Sequence, residues 1–286
     1  MNVLVLGSTG MLGNAVLRVL HADPRYQVFG SARSLAGAAR RLPAELQPRL
    51  VPGIDVDNPD QLAAVVAKVR PQAVINCIGL VKQLAEADDP LAAIPVNAML
   101  PHRLARLCDV AGARLVHVST DCVFTGRQGG YVESDPPDAQ DLYGRSKLLG
   151  EVDYPNAITL RTSIIGHELG DSSHGLVGWF LAQQGTVKGF TKAVFSGLPT
   201  VELATVIRDH VLPNKDLRGL WHVSAAPIDK YTLLQLVGKA YGRDTTIVPD
   251  DKLVIDRSLD SSRFRRATGW QPAAWPELVQ RMADFR

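Results

Sequence analysis

Residues 2–13 read Asn-Val-Leu-Val-Leu-Gly-Ser-Thr-Gly-Met-Leu-Gly, and few stretches restrict a fold as tightly. The apolar run Val3 to Leu6 suits a buried parallel strand. Gly7, Gly10 and Gly13 then punctuate a turn into a helix whose apolar positions are Leu12, Val16, Val19 and Leu20. Glycines so placed permit a tight turn, close backbone approach to a pyrophosphate, and tight packing of helix on strand. The turn through Gly7, Thr9, Gly10, Met11, Leu12 and Gly13 therefore offers backbone amides to an anion at the helix start. The spacing, Gly-x-x-Gly-x-x-Gly, is a variant of the usual dinucleotide fingerprint; a plain glycine-rich strand–helix turn is the alternative.

The first half continues in the same rhythm. Strands are expected near 2–7, 26–31, 49–53, 73–77, 114–119 and 157–161, with helices near 11–21, 59–69, 91–111 and 142–152. Such alternation is the signature of βαβ crossovers and a parallel sheet. Asn58 and Pro59 supply a cap and a proline at the first helical position. Beyond Arg161 the pattern loosens. Helices are expected near 176–184, 202–211, 230–241, 261–268 and 275–285, a strand near 220–224, and a mobile loop over 167–175. The fold class is an α/β, Rossmann-type doubly wound sheet with a smaller C-terminal α/β substrate lobe. The dinucleotide-binding domain is drawn at 1–165 and 201–226, the substrate lobe at 166–200 and 227–286.

Tyr143-Gly144-Arg145-Ser146-Lys147 places a phenol and an ammonium four residues apart, hence on one face if the segment is helical. A lysine held beside a tyrosine favours phenolate, which lets the phenol exchange a proton with a carbonyl or hydroxyl oxygen near neutral pH. A packed ring beside a solvated amine is the bland alternative.

The glycine turn and this pair, about 130 residues apart, resemble the short-chain dehydrogenase/reductase superfamily. Ser119-Thr120-Asp121-Cys122-Val123-Phe124, then Tyr143-x-x-x-Lys147-Leu148-x-Gly150-Glu151, is similar to its extended branch. The dTDP-4-dehydrorhamnose reductase (sugar-nucleotide reductase) family is the nearest likeness, extended by Gly197-Leu198-Pro199-Thr200 and Arg257-Ser258-Leu259-Asp260.

The resemblance implies roles. Tyr143 is the proton donor, Thr120 hydrogen-bonds the substrate carbonyl, and Lys147 both tunes Tyr143 and holds the nicotinamide ribose. Asp55 and Val56 follow the third strand where relatives meet the adenine ring, although Asp55 also suits a loop-turn carboxylate. Cys77, Ile78 and Gly79 end the fourth strand beside the cofactor ribose or form a simple turn, and Lys82 begins the substrate side. Asn97 is a proton-relay member or a helix-interior contact. Arg257 matches an arginine that contacts the nucleotide diphosphate, with a salt bridge to Asp256 or Asp260 as its other reading.

Cofactor choice can be read from one position. An acidic residue about 20 positions past the glycines would select NAD by binding its ribose 2′-hydroxyl. Here Arg33 stands there, with no Asp or Glu near, and a guanidinium matches a 2′-phosphate. NADP(H) is expected over NAD(H).

Related 4,6-dehydratases carry Thr-Asp-Glu where this chain has Thr120-Asp121-Cys122, and losing the glutamate argues against dehydration. An epimerase retaining NAD(H), and a regulatory NADP-binding subunit like the methionine adenosyltransferase accessory subunit, are the competing readings. Trp179, Trp221 and Trp275 sit in apolar patterns and read as core, and Arg263, Arg265 and Arg266 as a solvated face.

Composition narrows the partners. Lys+Arg 31 against Asp+Glu 29 leaves +2, no general attraction for nucleic acid. Three cysteines without a Cys-x-x-Cys pair suit a reducing compartment, and no metal motif occurs. No apolar run nears the ~18–20 residues of a membrane span. A cytoplasmic protein acting on a nucleotide sugar, without membrane or metal and with a homodimer implied by the resemblance, is the expectation.

Overall fold

The computed structural model describes residues 1–39, 42–80, 85–169 and 175–285. The first half runs β1 (Asn2–Leu6), α1 (Met11–His21), β2 (Gln27–Ala32), α2 (Leu35–Ala39), β3 (Leu50–Pro52), α3 (Pro59–Val69), β4 (Ala73–Asn76), α4 (Pro90–Ala93), α5 (Leu100–Val110), β5 (Arg114–Thr120) and α6 (Leu142–Leu149). Then follow β6 (Ala157–Thr162), β7 (Ile164–Ile165), α7 (Leu176–Leu181), β8 (Thr186–Phe190), β9 (Ala193–Phe195), β10 (Leu198–Pro199) and α8 (Thr200–Val206). The chain closes with β11 (Gly219–His222), β12 (Ile228–Asp229), α9 (Lys230–Ala240), β13 (Thr246–Asp250), β14 (Ile255–Asp256), α10 (Ser262–Thr268) and α11 (Trp275–Asp284).

Seven strands form one sheet in the order β11-β6-β5-β4-β1-β2-β3. β1 pairs in parallel with both β2 and β4, so the chain reverses its direction of travel between β1 and β4. In an open α/β sheet that reversal opens a crevice at the strands' carboxyl ends, where ligands bind. Gly7 and Cys77 are the first residues past those two strands.

Two compact units divide the chain: Met1–Ser119 with Gln140–Leu160 and Ala204–Leu220, and Thr120–Ala139 with Arg161–Leu203 and Trp221–Arg286. The lobes drawn from sequence placed residues 120–139 with the first unit; they pack with the second.

In the first unit, Leu4, Leu6, Val66, Val74, Leu104 and Leu115 form a buried cluster under α3 and α5. Burying each such side chain contributes roughly 1.5–3 kcal/mol. α3 begins where sequence placed it, because Asn58 Oδ1 accepts from the amides of Asp60 and Gln61 at 3.0 and 3.3 Å. Such a cap stabilises by about 0.5–2 kcal/mol. The helix expected over 91–111 is interrupted: Ile94–Met99 is a π-helical segment between α4 and α5. Pro95 and Pro101 have no amide hydrogen to give an α-helical ladder. The expected 202–211 helix likewise ends in a π-helical turn, Ile207–Val211.

The second unit gathers short pairings that no sequence period announced: β10–β7, β12–β9–β14 and β13–β8. Phe180, Leu233 and Val237 are buried there, as are Phe264 and Leu278. Arg281 ties α11 to Glu202 at 2.6 Å, and Trp275 Nε1 donates to Ala226 O at 2.7 Å. Trp221 and Trp275 are core residues as expected, but Trp179 is 37 % exposed, because α7 presents that position outward. Arg263 is exposed, as sequence expected, and its guanidinium lies 3.9 Å over the Trp221 ring. No helix of the described residues is long and apolar enough to cross a membrane.

Candidate active site

Gly7 begins the site with φ +78°, a left-handed conformation that only glycine adopts freely. Gly10 N donates to Gly7 O at 2.9 Å and closes the turn. A side chain at Gly13 would collide with the Gly7 carbonyl, so the third glycine lets α1 press onto the turn. α1 has no side-chain cap and no acidic residue in its first turn. Its leading amides, those of Met11 and Leu12 among them, therefore keep their hydrogen-bonding capacity for an anion. Thr9 is half-buried, Gly10 exposed, and Leu12 buried in the helix–sheet contact.

Arg33 is the first residue after β2 and is exposed. Asp55 closes its own turn: its Oδ1 accepts from Asp57 N at 3.0 Å, the loop role that sequence held open. Val56 and Ile78 pack at the edge of the core cluster. Past β4, Asn76 Oδ1 accepts from Ile78 N at 3.1 Å and sets the turn leading to Gly79. Burial pushes the Cys77 thiol up to about 12, so it stays protonated at neutral pH. Lys82 lies outside the described residues.

α6 is started by Asp141, whose Oδ1 accepts from Gly144 N at 2.7 Å. Tyr143 is half-buried and Lys147 is 5 % exposed one turn later. Lys147 Nζ donates to Val118 O on β5 at 2.8 Å. Burial lowers the lysine to about 8, against the opposing pull of the Glu151 carboxylate. Ser119 Oγ donates to Glu151 Oε1 at 2.7 Å and holds that carboxylate in place. A side chain at Gly79 would stand 3.7 Å from Lys147 Nζ and 3.3 Å from Asn97 Oδ1, which puts the β4 loop directly beside the ammonium.

Asn97, in the π-helical turn, is 1 % exposed. It accepts from Leu80 N at 3.0 Å and donates to Ser146 Oγ at 3.2 Å, so it joins the β4 loop to α6 next to Lys147. That is the helix-interior contact of its two readings. Behind it, His117 Nδ1 meets Asn76 Nδ2 at 3.2 Å, and burial holds this imidazole well below its usual range. Sequence reading missed Ser146 and Glu151. Glu151 stands four residues after Lys147, a helical spacing that could have found it.

In the second unit, Thr120 caps a short turn, accepting from Cys122 N at 3.1 Å and donating to Asp121 Oδ1 at 3.2 Å. Burial raises Asp121, which is 7 % exposed. Arg257 donates from Nε to Phe124 O at 2.8 Å and from Nη1 to Cys122 Sγ at 3.8 Å, and forms no ion pair with Asp256 or Asp260. Arg257, Asp121 and Thr120 thus share one neighbourhood. Among the described residues no group of three His, Cys, Asp or Glu side chains is arranged to hold a metal.

The order of the seven strands, reversing between β1 and β4 beside the glycine turn, is that of a Rossmann-type doubly wound sheet. Within that class the chain belongs to the RmlD substrate binding domain family, whose model matches residues 1–284. It is 28 % identical over 278 residues to a probable low-salt glycan biosynthesis reductase of Haloferax volcanii, covering 93 % of this chain and 89 % of the relative. To methionine adenosyltransferase 2 subunit beta of Danio rerio it is 28 % identical, covering 84 % of this chain and 73 % of that one. Its fold matches dTDP-4-dehydrorhamnose reductase of Bacillus anthracis, solved in complex with NADP, with TM-score 0.81, 20 % identity, and 100 % and 99 % of the two chains covered.

Proposed function

We propose that the protein is an NADPH-dependent reductase of a keto group on a nucleotide-activated deoxysugar, with Tyr143 as proton donor. The observation that carries this reading is Lys147: an ammonium buried one helical turn from Tyr143, beside the loop after β4. Burying a charged lysine opposes stability, which makes its retention an argument for chemistry. Family membership and the NADP complex of the similar Bacillus anthracis reductase support the same conclusion.

The residues present fit the dinucleotide. The uncapped start of α1 suits its pyrophosphate and Arg33 its 2′-phosphate. When bound, the reduced nicotinamide supplies a hydride. The Tyr143 hydroxyl gives a proton to the carbonyl oxygen, and the Lys147 ammonium stabilises the phenolate left behind. Thr120 donates a hydrogen bond to that oxygen and so lowers the cost of its developing charge. Cys122, standing where dehydratases keep a glutamate, leaves no second carboxylate for elimination.

NADPH oxidation in the presence of dTDP-4-dehydrorhamnose and other nucleotide-activated 4-ketosugars tests the proposal. No turnover with any of them, in protein that binds NADPH, would sink it. Similarity to methionine adenosyltransferase 2 subunit beta favours one second reading, a regulatory NADP-binding subunit. Cofactor binding without turnover is the result that reading expects.

A further inference from the structure

His117 is a buried titratable group of the first unit that the proposed reaction leaves unused. It lies on β5 at 1 % exposure, in register with Asn76 of β4, which is fully buried. The two side chains meet at 3.2 Å, His117 Nδ1 to Asn76 Nδ2. Asn76 Oδ1 is already engaged, accepting from Ile78 N at 3.1 Å, so the amide NH2 is what faces the ring. An NH2 group donates and cannot accept. His117 Nδ1 is therefore the unprotonated nitrogen, and the neutral ring carries its hydrogen on Nε2.

Burial, with the fields of Lys147 and His102, keeps the ring neutral. A proton on Nδ1 would set donor against donor. Turning the Asn76 amide over to accept it would bring the NH2 group against the Ile78 amide hydrogen instead. One directional chain of hydrogen bonds, from Ile78 through Asn76 to His117, thus fixes the turn after β4.

That turn is enclosed on two sides. A side chain at Gly7 would begin 2.9 Å from Ile78 Cγ1 and 3.3 Å from Cys77 O, so residues 77 and 78 lie against the glycine turn. One residue further, a side chain at Gly79 would stand 3.7 Å from Lys147 Nζ. Packing alone does not account for a histidine behind this turn. Among the described residues its Nε2, a buried donor, has no partner, and an unmatched buried donor opposes stability.

We propose that His117 is a positioning residue for the dinucleotide: as the Nε2–H tautomer it orients Asn76 and so holds the 77–79 turn between the glycine turn and Lys147. The inference rests on NADP(H) being the bound dinucleotide and needs no turnover of a ketosugar.

Two variants of the full-length protein test it, by calorimetric titration with NADPH and by thermal melts without it. His117→Leu removes the acceptor, whereas His117→Asn returns a carbonyl oxygen close to the place of Nδ1. The leucine variant is expected to weaken NADPH about 10-fold, the scale of leaving the Asn76 amide unmatched. It should melt within about 3 °C of wild type, because one unmatched donor is exchanged for another. The asparagine variant should keep most of the affinity. Wild-type affinity in the leucine variant overturns the proposal, as does equal weakening in both variants, or a loss of affinity that only parallels a loss of stability. Nitrogen-15 spectra of the histidine-labelled wild type read the tautomer directly and do not depend on any variant folding. A neutral ring at pH 6 with Nδ1 unprotonated is expected, and a hydrogen on Nδ1 overturns the assignment. Absent ketosugar reduction alongside His117-dependent NADPH binding would remove the reductase reading and leave this one standing.

Discussion

Lys147 combines two demands that oppose each other. In the proposed reaction its ammonium must be present to act on Tyr143, yet burial lowers the group from 10.5 to about 8. Between those values the unfolded chain binds more protons than the folded one, so stability rises with pH across that window and the full cost is felt below it. At pH 7 the cost is about 3 kcal/mol. It is partly offset by the bond to Val118 O, for which a charged donor contributes roughly 1.5–3 kcal/mol. Lys147→Met is therefore expected to lose turnover by ~100-fold or more while remaining at least as stable as wild type in urea at pH 7. Marked destabilisation would show that the lysine is structural. Activity follows the opposite limb: kcat/KM should fall as pH rises through about 8, where the ammonium is lost. Glu151→Gln removes the carboxylate that raises Lys147, so that limb should move to lower pH; an unmoved limb would assign it to another group. Tyr143→Phe is expected to bind NADPH nearly as wild type does and to lose at least ~100-fold in turnover, whereas near-normal turnover would remove Tyr143 as the proton donor.

At the scale of elements, the first turn of α1 is set by contact rather than by helix propensity. Gly13 has the Gly7 carbonyl where a side chain would begin, whereas Gly37 in α2 has open space around it. Gly13→Ala is expected to cost about 1–3 kcal/mol by overpacking and to weaken NADPH by ~10-fold or more as the turn shifts. Gly37→Ala, its control, should be neutral or gain up to about 1 kcal/mol from better helix propensity. Equal behaviour of the two in thermal melts and NADPH titrations would refute this account of the turn. The π-helical turn over Ile94–Met99 is the element that sequence could not give. An apolar period reads the same through α and π segments, yet the wider turn contains Asn97, which bonds Leu80 N and Ser146 Oγ. Such turns recur at functional positions because they redirect one side chain without breaking the helix.

For the whole molecule, cofactor binding should be written across separate stretches of the first unit. NADPH is expected to slow amide exchange at residues 7–13, 31–34 and 77–80 together, with NADH protecting 31–34 less because it lacks the 2′-phosphate that Arg33 would bind. Protection confined to one stretch would contradict a dinucleotide laid along the strand ends. The strands from β1 to β6, the glycine turn, the Asn58 cap and the Tyr143–Lys147 spacing were all legible in the sequence, because each is a local pattern of side-chain period, φ preference or helical register. The short pairings of β7 to β10 and β12 to β14 were not, since strands of two to five residues carry too few alternations to register a period. Local sequence thus determined the parallel sheet and the residue types on which the proposed reduction rests. Tertiary structure alone decided the environment of each charge: that Lys147 is buried against Val118 O, that the Glu151 carboxylate supports its ammonium, and that Ser119 holds that carboxylate in place. Charge energetics depend on burial and on neighbours distant along the chain, and neither is encoded in any local stretch.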